Sequence, residues 1–448
     1  MKLQDATGET AGLSRRQFLA SAAAAGAGLV LARPVFAQQA NLNSALQVAF
    51  IGVGSQGANL LNNCLKIDGV RIIAICDIWQ YQRERFSKIM EKYNQPVNVY
   101  EDYQEMLASE PGIDAVIVAT PDFCHAQQTN DCLRAGKHVY CEKEMARTLE
   151  EAASMVRTQR ETGKLLQIGH QRRSNPRYGH ALKLIENDKI LGRITHFNGQ
   201  WNRPVAEPYD WPKGSEIPEE TLARYGFKNM HEYRNWRWYK AYGSGPFADL
   251  GSHQIDVFNW FLQTTPASVM ASGGIDYYTD GREWYDNVLA IYTYETPAGL
   301  VRGVYNVYNT TGHGGFFETF MGDEGSMVIS EDERKGYFFR EVHARKREWE
   351  EQSETVDKGG EEAFELKIGE TLAPDGSPEP EGQKLLEESK KPVHQLHLEN
   401  FFKAVRGEEE LNCPPEIGYE TAVTVLRVND AVASGGTLTF APGDFTVA

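Results

Sequence analysis

A chain of 448 residues is too long for one compact core, and its 41% hydrophobic and 11% aromatic content is enough to build two. A formal net charge of −16 speaks against a nucleic-acid partner and against docking on anionic lipid. Cys64, Cys76, Cys124, Cys132, Cys141 and Cys413 show no C-x-x-C spacing and mostly sit inside apolar runs, which predicts buried free thiols rather than a disulfide framework or a metal site.

The N-terminus reads Ser14-Arg15-Arg16-Gln17-Phe18-Leu19, then an Ala/Gly-rich apolar run through Leu31, then Val35-Phe36-Ala37. Paired arginines, a weakly hydrophobic core and small residues before a cleavage point are the parts of a twin-arginine export signal. The reading is a signal peptide over 1–37, cleaved after Ala37, with the export machinery as a partner and a periplasmic or otherwise exported destination. The apolar run is too short and too rich in glycine for stable membrane anchoring.

From Leu46 short β-branched runs alternate with helical patterns, the signature of βαβ units on a parallel sheet. Strands are predicted at Gln47–Val53, Val70–Cys76, Ala115–Ala119, His138–Cys141 and Leu165–Gly169. Helices are predicted from Gly57, over Gln82–Tyr93, and over Thr148–Thr162, whose opening Thr-Leu-Glu-Glu is a capping signal. Beyond Gln171 the runs Ala290–Thr293, Leu300–Tyr308 and Ser326–Ile329 alternate as in an open antiparallel sheet. The fold class is therefore α/β, a doubly wound parallel Rossmann sheet, joined to an α+β domain with a large, mainly antiparallel open sheet. The expected domains are 38–170 for dinucleotide binding and 171–448 for substrate binding and oligomerisation. Within the latter, 343–391 reads as a charged surface insertion, and helices close the chain at His397–Arg406 and Tyr419–Ser434.

Gly52-Val53-Gly54-Ser55-Gln56-Gly57 matches G-x-G-x-x-G between a strand and a helix, and Asp77 ends the second strand 20 residues beyond Gly57. Gly52 permits a tight turn, Gly54 lets backbone approach a pyrophosphate, and Gly57 lets helix pack on strand. The helix N-terminus, with Ser55 and Gln56, offers unpaired N–H groups to phosphates. Asp77 would accept from the adenosine ribose hydroxyls and repel a 2′-phosphate, favouring NAD over NADP; Arg83 and Arg85 keep NADP as the lesser alternative.

Three further motifs follow in order. They are Ala119-Thr120-Pro121 with His125; Gly136-Lys137-His138-Val139 leading to Glu142-Lys143; and Asp249-Leu250-Gly251-Ser252-His253 with Asp256. Together they resemble the glucose–fructose oxidoreductase/inositol dehydrogenase/rhizopine-catabolism (Gfo/Idh/MocA) family over nearly the whole mature chain. The resemblance implies a Rossmann domain plus an α/β domain whose sheet forms the dimer face, hence a homodimer or homotetramer. It implies that Lys143, Asp249 and His253 are catalytic, and that Thr120, Pro121, His125, Glu142, Lys143 and Arg172 line the nicotinamide end. The chain departs from the family at Glu144, where proline is usual. A cis bond is less expected there than before proline, and the extra carboxylate is placed to act on Lys143 or the substrate.

Oxidising a secondary alcohol needs a base and a hydride acceptor. His253 titrates nearest neutrality and is the expected base, Asp249 one turn earlier would orient its ring, and Lys143 would stabilise the alkoxide. Between Gln200 and Tyr242 aromatic residues interleave with polar ones, as in an amphipathic wall for a sugar; Trp201, Trp236, Arg237 and Tyr239 are singled out, with Asp256 and His313 as further substrate contacts. The reading is an exported NAD(P)-dependent oxidoreductase acting on a secondary alcohol of a sugar or polyol, its nicotinamide cofactor tightly bound. Two alternatives stand beside it: a glycoside hydrolase working by transient oxidation and elimination, disfavoured by the intact Glu142-Lys143 pair, and a non-catalytic sugar or nucleotide sensor.

Overall fold

Short β-branched runs with helices between them wind into a six-stranded parallel sheet in the order β3-β2-β1-β4-β5-β6. Its strands are β1 (Leu46–Ile51), β2 (Val70–Cys76), β3 (Asn98–Tyr100), β4 (Ala115–Val118), β5 (His138–Cys141) and β6 (Leu166–Ile168). Every residue of β4 is buried, as a strand covered by helices on both faces must be. The three-residue β3 was not expected; Asn98-Val99-Tyr100 is too short to show a period and is defined only by its parallel ladder to β2. Thr148 caps the helix Leu149–Thr162 through a reciprocal box with Glu151, as its sequence predicts. The computed structural model describes residues 45–448 apart from 333, 348–349, 351–354 and 367–379, so the 1–37 signal lies outside the described residues.

The second sheet has ten strands: β7 (Ile194–Asn202), β8 (Pro266–Gly274), β9 (Asn287–Thr296), β10 (Gly299–Tyr308), β11 (Phe316–Gly322), β12 (Gly325–Ile329), β13 (Gly336–Arg340), β14 (Thr355–Asp357), β15 (Glu362–Glu365) and β16 (Thr437–Thr439). Their order is β14-β15-β13-β12-β11-β7-β10-β9-β8-β16, antiparallel except where β7 and β10 run parallel. The 343–391 stretch therefore does more than decorate the surface, since β14 and β15 extend the sheet edge.

One face of this sheet carries the helices Pro246–Leu262 and Pro415–Ser434. Gly199 on β7 makes the close approach possible, because a Cβ there would lie 2.8 Å from the Phe258 ring. The other face is uncovered among the described residues: Val288, Ala290 and Tyr292 of β9 point into the core while Leu289 and Ile291 point out, with Met270, Leu300 and Val304 exposed beside them. From Gln47 to Ala448 the chain is one compact unit, and its core runs continuously between the two sheets. The cysteines are free thiols, buried except for the half-buried Cys124.

Candidate active site at the strand ends

Gly52 leaves β1 with φ +88°, and a Cβ on it would sit 2.6 Å from the Ala119 carbonyl. A Cβ on Gly57 would come within 2.1 Å of the Gly52 carbonyl, so helix and turn are packed backbone to backbone. At Gly54 nothing lies within 4 Å of where a Cβ would project, which leaves an approach open at the helix start. The helix Ser55–Cys64 has no side-chain cap and no acidic residue in its first turn. Its first N–H groups are thus unpaired and its positive dipole end unopposed, the conditions a pyrophosphate needs. These features fit a dinucleotide.

Asp77 stands at the end of β2, buried. Its Oδ2 accepts from the Val53 N–H at 3.0 Å and its Oδ1 from the Trp79 N–H at 2.8 Å, and the Tyr233 hydroxyl also bonds this carboxylate. Burial raises its pKa, against the pull of these donors and of Arg83. Arg83 itself donates to the Asp77 backbone carbonyl and pairs with Glu101. It is thereby committed to protein groups rather than held ready for a 2′-phosphate.

Much of the aromatic stretch predicted to wall the substrate does something else. Ile217, Leu222, Phe227, Met230, Tyr239 and Tyr242 close around Trp79 in a second hydrophobic core, with Phe123 and Tyr233 packed against it. Trp79 donates its indole N–H to the Ser215 carbonyl, Arg234 lies over its ring at 5.1 Å, and Arg224 pairs with Glu101. Residues 211–242 therefore form a cap over the Asp77 end of the Rossmann sheet. Tyr239 belongs to that core, because an uninterrupted aromatic cluster buries more apolar surface than a wall exposed to solvent.

The second centre lies where β5 meets the helix Pro246–Leu262. Lys143 Nζ donates to Asp249 Oδ1 at 3.1 Å and to the Asp249 carbonyl. Arg237 Nε donates to the other carboxylate oxygen at 3.1 Å. Burial would raise the Asp249 carboxyl, but Lys143, Arg237 and Arg203 hold it far below the usual carboxylate range. His253 shares the helix face with Asp249 without receiving its carboxylate, which two cations have drawn away. Asp249 thus positions Lys143 rather than the His253 ring. His253 instead lies against the Trp201 ring, centroids 5.5 Å apart, and its Nδ1 is buried without a partner. Burial, then Lys143 and Arg172, lowers its pKa well below 6.5, so the ring is neutral and able to accept a proton.

The Lys143–Glu144 peptide is cis, although a cis bond is less expected there than before proline. Glu144 turns away from the reacting side: it is fully buried, Oε1 accepts from the Met145 N–H at 2.7 Å, and burial pushes its carboxyl up to about 8. It is therefore a neutral acid in the core rather than a partner for substrate. Its carbonyl faces His125 Nδ1 at 2.8 Å, while His125 Nε2 faces the Thr120 carbonyl at 2.7 Å. Two carbonyl acceptors require both nitrogens to donate, so His125 is an imidazolium that ties the Thr120-Pro121 turn to the Lys143 strand end. Burial opposes that charge, and Cys141 and Asp122 are among the neighbours that favour it. Thr120 donates to Gln128, and Glu142 accepts from Gln56 at 3.0 Å, linking the β5 end to the glycine turn.

Arg172 is committed to protein carboxylates rather than left open to a ligand. It is fully buried, paired with Glu318 and with Glu331 at 3.3 Å, because a guanidinium at that depth must find carboxylates. It borders the site across the Trp201 ring, 5.7 Å away, and through its charge on His253. Asp256 is likewise no substrate contact: Arg173 grips it bidentately at 2.9 Å and Thr421 donates to it. Trp236 and Arg237 do stand at the centre, stacked at 4.2 Å. His313 lies in an exposed loop whose carbonyl accepts from Asn202 at 2.9 Å, beside Trp201. Sequence reasoning passed over Asp122, which accepts from the Ser244 N–H and hydroxyl at 3.0 and 2.6 Å, and His170, a buried imidazole with neither nitrogen paired. Asp122 follows Thr120-Pro121 directly, and that adjacency was the signal available. Among the described residues no cluster of His, Cys, Asp or Glu is suited to a metal ion.

The profile of the oxidoreductase family with an NAD-binding Rossmann fold matches residues 46–170, and the Gfo/Idh/MocA C-terminal domain matches 178–328. A 4-carboxy-2-hydroxymuconate-6-semialdehyde dehydrogenase of Sphingobium sp. is 32% identical over 149 residues, 33% of this chain and 44% of that protein. A glycosyl hydrolase family 109 protein of Shewanella sp. is 29% identical over 285 residues, 57% of this chain and 59% of that one. The chain thus matches about half the length of these relatives. Two solved structures share the fold: the WlbA dehydrogenase of Bordetella pertussis with NADH and UDP-GlcNAcA (TM-score 0.65, 20% identity, covering 89% of this chain and 98% of that one), and a levoglucosan dehydrogenase with NADH (TM-score 0.65, 19% identity, 89% and 99%). Glycine turn, Lys143 and the Asp249–His253 helix stand in one frame with both domain profiles matched, and the chain belongs to the Gfo/Idh/MocA oxidoreductase family, with an NAD-binding Rossmann domain.

Proposed function

We propose that the protein oxidises a secondary alcohol of a sugar or polyol with a tightly held NAD. The observation that carries this is the Lys143–Asp249 pair beside a neutral, unpaired His253. The nicotinamide, when bound, supplies the hydride acceptor. Lys143, with two of its donors on Asp249, directs the third at the substrate oxygen and stabilises negative charge there. The neutral His253 ring accepts the hydroxyl proton, and the Trp201 face shields it from water. Relatives whose names or bound ligands are a sugar-nucleotide acid and levoglucosan support a carbohydrate substrate.

The cap over Asp77 supports the tight hold on NAD, since exchange through the adenosine side requires breaking the Trp79 core. The twin-arginine motif at Arg15–Arg16 supports export of a folded, loaded protein, for which no outside pool of NAD would be at hand. No helix among the described residues is long and apolar enough to cross a membrane. The exposed Met270, Leu289, Ile291, Leu300 and Val304 on the open sheet face support assembly as a homodimer or homotetramer. Purified mature protein, screened against sugars for the absorbance of reduced nicotinamide, tests the reading; protein that carries no nucleotide and turns over only with added NAD would refute the tight hold.

A second reading has one observation behind it, the 29% identity to a family 109 glycosyl hydrolase. It predicts release of an aglycone from a glycoside with no net reduction of the nucleotide, whereas the dehydrogenase leaves the nucleotide reduced after one turnover.

A further inference from the structure

Two guanidinium groups at the rim of the Lys143–Asp249 centre are held in place but not used up. Arg237 gives only Nε to Asp249, at 3.1 Å, and its plane rests on Trp236 with Cζ 4.2 Å from the ring centroid. Its side chain is 47% exposed, and among the described residues its terminal nitrogens have no carboxylate acceptor. Arg203 lies over Trp201 at 5.4 Å, on the same indole that packs against His253. It is exposed, and among the described residues it forms no ion pair with a carboxylate. The other arginine touching Trp201, Arg172, is already neutralised by Glu318 and Glu331.

The charge around the reacting position is therefore lopsided. Lys143, Arg237 and Arg203 all act on Asp249, and Asp122 acts on Arg237 from further off. Asp122 lies behind them, bound to Ser244 and faced by the His125 imidazolium. Oxidising a neutral alcohol needs one cation near the developing alkoxide, and Lys143 supplies it. Among the described residues the terminal nitrogens of Arg237 and the guanidinium of Arg203 are left without a carboxylate acceptor. Both are stacked on indole faces, which removes much of the rotamer freedom that binding would otherwise have to freeze. A planar fork so presented matches a carboxylate oxygen pair.

We infer that the substrate is an acidic sugar, a uronic acid or its glycoside, whose carboxylate is taken by Arg203 together with the outer edge of Arg237 between the Trp201 and Trp236 faces. This rests on the sugar-oxidising reading above and narrows its substrate class.

The test uses the nucleotide-loaded protein and two sugars that differ only at C6, methyl β-D-glucuronide and methyl β-D-glucoside. Reduction of the bound nucleotide in a single turnover is measured for each, and binding of each to the resting protein is measured by calorimetry. The uronide should be preferred by about 10–100-fold, the worth of one charge-assisted hydrogen bond. Arg203→Leu should bring the ratio close to one, Arg203→Lys should keep part of it, and 0.5 M salt should shrink it. A sugar 6-phosphate as third ligand separates a carboxylate site from a phosphate site, and tighter use of the phosphate would overturn the inference. Equal or better use of the glucoside, or a ratio that Arg203→Leu leaves unchanged, would overturn it as well. If the uronide binds in an Arg203-dependent way yet no sugar reduces the nucleotide, the acidic-ligand inference stands and the dehydrogenase reading falls. If glucoside is oxidised and uronide is not, the reverse holds.

Discussion

Lys143 Nζ lies 3.1 Å from Asp249 Oδ1, across 106 positions of sequence, and also donates to the Asp249 backbone carbonyl. This pairing, rather than the Asp249–His253 spacing along one helix, organises the centre. Asp249 holds the lysine amine in place, and His253 Nδ1 is left without a partner.

The pairing makes a quantitative claim. Lys143→Ala and His253→Ala should each slow hydride transfer by about 10²–10⁴-fold with the bound nucleotide retained, the usual loss for a positioned acid–base group. In a double-mutant cycle Asp249→Asn should couple strongly to Lys143→Ala and weakly to His253→Ala. Stronger coupling of Asp249 to His253 than to Lys143 would restore the triad-like arrangement.

The same geometry sets a pH dependence. Burial and then the Lys143 and Arg172 charges lower the His253 pKa, so the base form persists below pH 6.5 and is lost only in more acidic solution. Single-turnover rates should therefore stay level from neutrality through pH 6.5 and fall below it, and the falling limb should vanish in His253→Gln. A midpoint at or above 6.5 would contradict the assignment.

Glu144 links stability to pH with the opposite consequence. Its carboxyl is raised from 4.5 to about 8, by burial first, so the folded state keeps a proton that the unfolded chain releases above 4.5. Its contribution is present in full below 4.5 and is lost as pH rises toward about 8. Glu144→Gln, which copies the neutral acid, should melt close to wild type at pH 5 and higher than wild type at pH 8. A change of about 2–4 °C for each kcal/mol is expected for a chain of this size class or somewhat smaller. A constant difference across that range would show that Glu144 is ionised in the fold.

The cap predicts nucleotide retention. Trp79→Ala opens the core over Asp77 and should speed loss of bound NAD while the far-ultraviolet circular dichroism stays native; retention equal to wild type would show that the cap does not hold the cofactor.

Asp77→Ala should weaken NAD and improve NADP relative to it. Because Asp77 also accepts the Val53 and Trp79 N–H groups, total nucleotide content should fall too. An unchanged ratio of the two dissociation constants would remove Asp77 from cofactor choice.

Sequence alone determined the features whose physics is local. Alternation of β-branched runs with helices specified the parallel sheet. The Thr148 box specified where the helix Leu149–Thr162 begins, and Gly52 and Gly57 specified a turn that only glycine can make. The family motifs named Lys143, Asp249 and His253, and the structure brings them to one centre. Tertiary structure alone decided who pairs with whom. Asp249 serves Lys143 and Arg237 because those cations arrive from elsewhere in the chain, and spacing along a helix does not reveal what faces it. Tyr239 joined the core and Trp201 the site, although both lie in one aromatic stretch. Arg172 and Asp256 became buried ion pairs rather than ligand contacts, because a charge carried into the interior is satisfied by whichever opposite charge the fold brings within reach, and that is set by long-range packing and not by neighbours in sequence.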